Sequence, residues 1–94
     1  MDLQLNQKTA FITGASGGIG SAIARQFLAE DANVVVHYHS NQARAEQLVA
    51  EFGEDRSLAV AADLKHEAAV VSAFNQAADK FGRVDILIAN AGVW

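Results

Sequence analysis

The sequence predicts an α/β fold: a parallel sheet whose strands are separated by helices. Three observations carry that prediction. Short apolar runs alternate along the chain with segments of helical periodicity, the connections between them are short, and the first run breaks into a glycine cluster directly ahead of a helical pattern. Strands that alternate with helices through short loops pair in parallel by right-handed crossovers. The predicted order is β-α-β-α-β-α-β.

Residues 2–7 are a short polar lead-in. The first strand is expected from about Lys8 to Thr13; it alternates too little for one wet face and reads as buried on both sides. It ends in Gly14-Ala15-Ser16-Gly17-Gly18-Ile19-Gly20. Glycine tolerates positive φ and has no Cβ to hold a ligand away from the backbone. A strand, a glycine turn and a helix in that order offer unpaired backbone N–H groups to a phosphate. The spacing of Gly14, Gly18 and Gly20 is G-x-x-x-G-x-G, which differs from the G-x-G-x-x-G dinucleotide fingerprint. By itself such a turn is equally compatible with a purely structural role.

The first helix is expected from about Gly18 to Glu30, with Ile19, Ala22, Ile23, Phe27 and Leu28 as its apolar face. Asn33 to Tyr38, with the β-branched run Val34-Val35-Val36, is the second strand. Ser40 and Asn41 can cap a second helix from about Gln42 to Phe52, with Ala45, Leu48, Val49 and Phe52 inward and Gly53 at its end. Ser57 to Ala61 is a third strand, and Asp63 falls just past its end. A third helix from about Glu67 to Phe81 carries Val70, Val71, Phe74, Ala77, Ala78 and Phe81 on one face and closes at Gly82; Val84 to Ala89 is a fourth strand.

Composition narrows the function classes. Ninety-four residues form one small domain, and 51% hydrophobic with 19% charged residues is a globular composition. A net charge of -4 leaves no basic footprint, so nucleic acid is not expected as a partner. The absence of cysteine excludes disulfides, thiolate nucleophiles and Cys-type zinc sites. His37, His39 and His66 share neither a helical face nor metal-ligand spacing, so no metal site is expected. The N-terminus lacks the basic and apolar regions of a secretory signal, and no apolar run is long enough to span a bilayer. The expectation is a cytoplasmic protein without membrane partners.

Four signals sit in an order that resembles one family. Thr13-Gly14-Ala15-Ser16-Gly17-Gly18-Ile19-Gly20 resembles the T-G-x-x-x-G-x-G motif of the short-chain dehydrogenase/reductase family. Asp63-Leu64 after the third strand resembles that family's adenine contact, and Asn90-Ala91-Gly92 after the fourth resembles its N-A-G motif. Leu28-Ala29-Glu30, the run 32–36 and the run 81–88 are similar to the 3-oxoacyl carrier-protein reductase and sugar dehydrogenase branch. One position departs from the family pattern: Asp31 stands where glycine is usual between the first helix and the second strand.

The resemblance implies a Rossmann-like sheet of strand order 3-2-1-4, with residues 1–94 as a partial NAD(P)-binding domain cut before a fifth strand. It implies an oxidoreductase that moves hydride between a carbonyl and an alcohol, with full-length relatives that are homo-oligomers. Gly14, Gly18 and Gly20 would admit the diphosphate, Ser16 would add a hydroxyl, and Ile19 its backbone N–H. Asp63 would accept from the adenine amino group, or cap the third helix, and Leu64 would offer its amide to a ring nitrogen. Asn90 would chiefly brace the fourth strand, with 90–92 passing near a ribose; Ala91 and Gly92 share that role.

The end of the second strand bears on cofactor choice. An acidic residue there holds the ribose 2′-hydroxyl in NAD-binding folds. Here Tyr38 occupies the place, followed by His39, Ser40 and Asn41, which can receive a 2′-phosphate at a helix N-terminus. NADP is therefore expected over NAD, although no Arg or Lys stands at the usual spot. The family's Tyr-x-x-x-Lys pair cannot be placed, because the only tyrosine is Tyr38 and Gln42 lies four residues on. The expectation is thus a cofactor-binding segment with no catalytic residue of its own. The alternative is a nucleotide-binding module, or a subunit completed by a partner chain, without catalysis.

Overall fold

A computed structural model describes residues 6–90. The elements are β1 (Thr9–Ile12), α1 (Gly18–Ala29), β2 (Asn33–Tyr38), α2 (Gln42–Phe52), β3 (Ser57–Ala61), α3 (Glu67–Phe81) and β4 (Ile86–Ile88). The strands form one parallel sheet in the order β3-β2-β1-β4. That is the order implied by the family resemblance, and β2, α2, β3 and α3 have the bounds that the sequence predicts.

The sheet separates two cores. Successive strand residues point to opposite faces, so Ala10, Ile12, Val34 and Val36 meet Ala24, Ala45 and Leu48 of α1 and α2 on one side. On the other, Phe11, Val35 and Val60 meet Ala73 and Ala77 of α3. The Phe11 and Phe74 rings stack nearly parallel, with centroids 4.4 Å apart and an interplanar angle of 13°. β1 and β2 read as continuous apolar runs because helices cover both of their faces.

Two helix faces are rotated from the sequence expectation. The buried line of α1 is Gly20, Ser21 and Ala24, flanked by Ile23, Phe27 and Leu28. Ala22 is exposed and Ile19 is 73% exposed, so neither belongs to the inward face. In α3 the buried line is Ala73 and Ala77, while Val71 faces out. The cause is the same in both. Small residues at i and i+4 let the helix axis approach the sheet, and bulky residues pack to either side of that line.

β4 is shorter than the predicted run, and at both of its ends side chains add to the backbone pairing with β1. The Thr9 N–H donates to Asp85 Oδ2 at 2.9 Å, and the Asn90 N–H donates to Thr13 Oγ1 at 2.8 Å. Glu30 caps α1 and is followed by Asp31, whose φ of 64° is left-handed; for a residue with a Cβ this costs about 1 kcal/mol. The Arg56 guanidinium donates to the carbonyls of Leu28 (3.3 Å) and Ala32 (2.7 Å), tying down that same corner. Gly82, at φ 84°, closes α3 in the left-handed conformation expected of a terminal glycine. Among the described residues, no helix is long and apolar enough to cross a membrane.

Candidate functional site

Because all four strands are parallel, their C-terminal ends share one edge of the sheet. The glycine turn follows β1, His39-Ser40-Asn41 follow β2, Asp63-Leu64 follow β3, and Asn90 follows β4. The strand order reverses between β1 and β4, and open α/β sheets bind ligands at such a point.

The turn is held by its own backbone and by β4. Gly14 has φ 64°, and its carbonyl accepts from the Gly17 N–H (3.1 Å) and from Asn90 Nδ2 (3.3 Å). A Cβ at Gly20 would lie 2.5 Å from the Gly14 oxygen and 2.7 Å from Ala15 Cα, so the start of α1 sits directly on the turn. Gly18 is different: a Cβ there would meet nothing within 4 Å.

The N-terminus of α1 is left open. Gly17 is its N-cap with no side-chain cap, and no acidic residue lies in the first turn. The Ser21 N–H donates back to the Gly17 carbonyl at 2.9 Å, so the N–H groups of Gly18, Ile19 and Gly20 precede the helical ladder. The helix dipole adds partial positive charge there. Ser16 stands beside them, half-buried, with no hydrogen bond among the described residues. Free donors, open space over Gly18 and an exposed Ile19 fit a bound diphosphate.

The far side of the site is built from two loops. Asn41 Oδ1 accepts from the Arg44 N–H (3.2 Å) and so caps α2, while Ser40 is exposed. Asp63 does not cap α3, whose N-cap is His66. Its Oδ1 instead accepts from the Lys65 N–H (3.0 Å), and its carbonyl from the His66 N–H (3.0 Å), which curls the chain into a tight turn before the helix. His39 and His66 approach the carboxylate, with Nε2 at 3.7 and 3.5 Å from Oδ2. The Lys65 amide bond, aided by these histidines and Lys65, holds the Asp63 carboxyl below its usual range. Leu64 is exposed next to it.

Asn90 ties the end of β4 to the glycine turn, since its backbone donates to Thr13 and its side chain to Gly14. Ala91 and Gly92 lie outside the described residues. Sequence reasoning missed His37, which it considered only as a metal ligand. Both of its ring nitrogens are engaged, with the Gly14 N–H at 2.9 Å and with the Ala62 carbonyl at 2.8 Å. A polar residue inside a strand covered on both faces must find buried partners. That requirement was the available signal.

A parallel sheet with an uncapped glycine turn at its switch point is the architecture of a doubly wound nucleotide-binding domain. Residues 8–94 match the short chain dehydrogenase family, and the chain belongs to that family. It is 38% identical over 91 residues to the meso-2,3-butanediol dehydrogenase of Serratia marcescens, covering 97% of this chain and 36% of that protein. A blue fluorescent protein from a metagenomic library, solved in complex with NADPH, superposes with TM-score 0.88 at 40% identity, over 96% of this chain and 38% of that one. The 3-ketoacyl-(acyl-carrier-protein) reductase of Brucella melitensis, complexed with NADH, gives TM-score 0.82 at 46% identity, over 88% of this chain and 34% of that one. Across the curated relatives matched, the chain spans 14% to 38% of their length.

Proposed function

We propose that this chain forms the dinucleotide-binding part of an NAD(P)-dependent oxidoreductase that interconverts a carbonyl and an alcohol. The observation that carries the reading is the uncapped start of α1, where the Gly18, Ile19 and Gly20 amides stand unpaired beside the Ser16 hydroxyl. In this reading the cofactor supplies the hydride carrier. The amides of α1 bind its diphosphate, Asp63 accepts from the adenine amino group, the Leu64 amide meets a ring nitrogen, and Asn90 keeps the turn against β4. The ribose-side role that the resemblance gives to Ala91 and Gly92 belongs to the same proposal. The sequence contains no Tyr-x-x-x-Lys pair, so the proton transfer of the full reaction falls outside the roles assigned to these residues.

The reading favours NADP. No carboxylate stands from Tyr38 to Asn41 to repel a 2′-phosphate, and His39, Ser40 and the N-terminus of α2 would receive it. The relatives bound to NADPH and to NADH make both cofactors worth testing. A cytosolic setting and a self-assembling full-length enzyme belong to the same proposal.

Titrating the purified chain with NADPH and separately with NADH, by cofactor fluorescence with light scattering as a size check, tests this. Saturable binding to a monomer, tighter for NADPH, is the expected result. Tighter NADH binding would overturn the NADP assignment, and no saturable binding of either would overturn the whole reading.

A further inference from the structure

His37 is the penultimate residue of β2, and its side chain is 2% exposed on the α3 face of the sheet. Phe11 lies against it, with ring centroids 6.2 Å apart and an interplanar angle of 27°. A backbone N–H only donates and a carbonyl only accepts. The Gly14 N–H on Nδ1 and the Ala62 carbonyl on Nε2 therefore require the neutral imidazole with its proton on Nε2. The main chain runs in step with the ring. The Ala15 N–H donates to the His37 carbonyl, and the Ala62 N–H to the Tyr38 carbonyl, each at 3.1 Å.

The two ring partners belong to different parts of the site. Gly14 opens the turn that leads into α1, and Ala62 immediately precedes Asp63. We propose that His37 is a positioning residue for the dinucleotide: its imidazole bridges the Gly14 turn and the Asp63 loop and fixes the spacing between the diphosphate end and the adenine end. This rests on the dinucleotide reading above. It also has a consequence for the turn itself, because the Gly14 amide is already taken and leaves the anion to the amides of Gly18, Ile19 and Gly20. A buried imidazole must find partners somewhere; here one lies in the glycine turn and the other just ahead of Asp63.

Three substitutions separate the two bonds. His37→Asn places an oxygen near Nδ1 and can accept from Gly14 while falling short of Ala62. His37→Gln reaches the Ala62 carbonyl and leaves Gly14 without its acceptor. His37→Phe keeps the ring and loses both. On the 94-residue chain, a through-hydrogen-bond scalar coupling between the Gly14 nitrogen and His37 Nδ1 reports the bridge directly. Titrations with NADPH, which spans both loops, and with adenosine 2′,5′-bisphosphate, which carries the adenine end alone, report its role.

The expected result is a measurable coupling in the parent chain and about tenfold weaker NADPH binding by His37→Phe, with the adenine-end ligand changed by less than roughly threefold. His37→Asn should recover most of the NADPH affinity, and His37→Gln should not. Should His37→Phe fail to fold, the Asn and Gln variants decide, and equal affinities for NADPH would overturn the proposal. So would an unchanged NADPH affinity in His37→Phe, an equal loss for both ligands, or a parent chain that binds NADPH without the coupling. A parent chain that binds neither ligand would remove the dinucleotide reading, and this inference with it.

Discussion

At the scale of single residues, the glycine turn holds one position that needs glycine for packing, Gly20, and others, such as Gly18, that do not. At Gly20 an added methyl would meet the Gly14 oxygen at 2.5 Å, Ala15 Cα at 2.7 Å and Asn90 Nδ2 at 2.8 Å. The first two are backbone atoms and cannot rotate aside, so α1 would have to lift off the turn. Gly20→Ala should destabilise the fold by about 2 kcal/mol, the ordinary cost of overpacking. At Gly18 the same methyl meets nothing within 4 Å, and Gly18→Ala should stay within about 0.5 kcal/mol of the parent. Urea denaturation of both variants distinguishes the cases; equal midpoints would mean that the close seat of α1 on the turn is wrong. The resemblance flags both glycines alike, and only the geometry separates them.

At the scale of elements, β4 depends on a carboxylate at its start. Asp85 accepts from the Thr9 N–H and pairs with Arg83, and its side chain is 10% exposed. The Thr9 bond, opposed by burial and aided by Arg83, holds the Asp85 carboxyl below its ordinary value of 3.8. A carboxyl lowered in the folded state adds stability above its unfolded value, and loses it as the pH falls through the folded one. Asp85→Asn keeps the shape and a neutral acceptor. It should lower stability by about 1 kcal/mol at neutral pH, a gap that narrows below about pH 4. Denaturation of parent and variant at neutral and acid pH measures this, and a gap independent of pH would contradict it. Asp85 also explains where the sequence was legible and where it was not. Val34-Val35-Val36 and the helical spacing from Ala45 to Phe52 mark elements through local periodicity, and their bounds came out as predicted. The ends of β4 are reinforced by Asp85 on Thr9 and by Thr13 on Asn90, contacts 76 and 77 residues apart in sequence. No local pattern encodes them. Likewise, His37 was invisible as a bridge because its two partners lie 23 and 25 residues away.

At the scale of the whole molecule, the sheet has two different edges. β3 is covered by helices on both sides, since α2 and α3 each pack against it. β4 pairs with β1 on one side only, among the described residues. Its Leu87 is in register with Phe11, yet Phe11 is 1% exposed under α3 and Leu87 is 56% exposed beyond it. Ile86 and Ile88 on the opposite face are only half-buried. A short, flat, apolar strand with free N–H and C=O groups along one side is a template for pairing with another strand. The 94-residue chain on its own should therefore self-associate with rising concentration and unfold with a low midpoint. Leu87→Lys places a charge on the open face at a site that carries little of the core, and should shift the chain toward monomer without lowering its midpoint. Sedimentation velocity over a concentration series, paired with thermal unfolding, tests both statements. A parent chain that stays monomeric throughout with a sharp, high-temperature transition would show that the α1, α2 and α3 layers stabilise the sheet without a neighbour for β4. Association that Leu87→Lys leaves unchanged would move the contact to another surface.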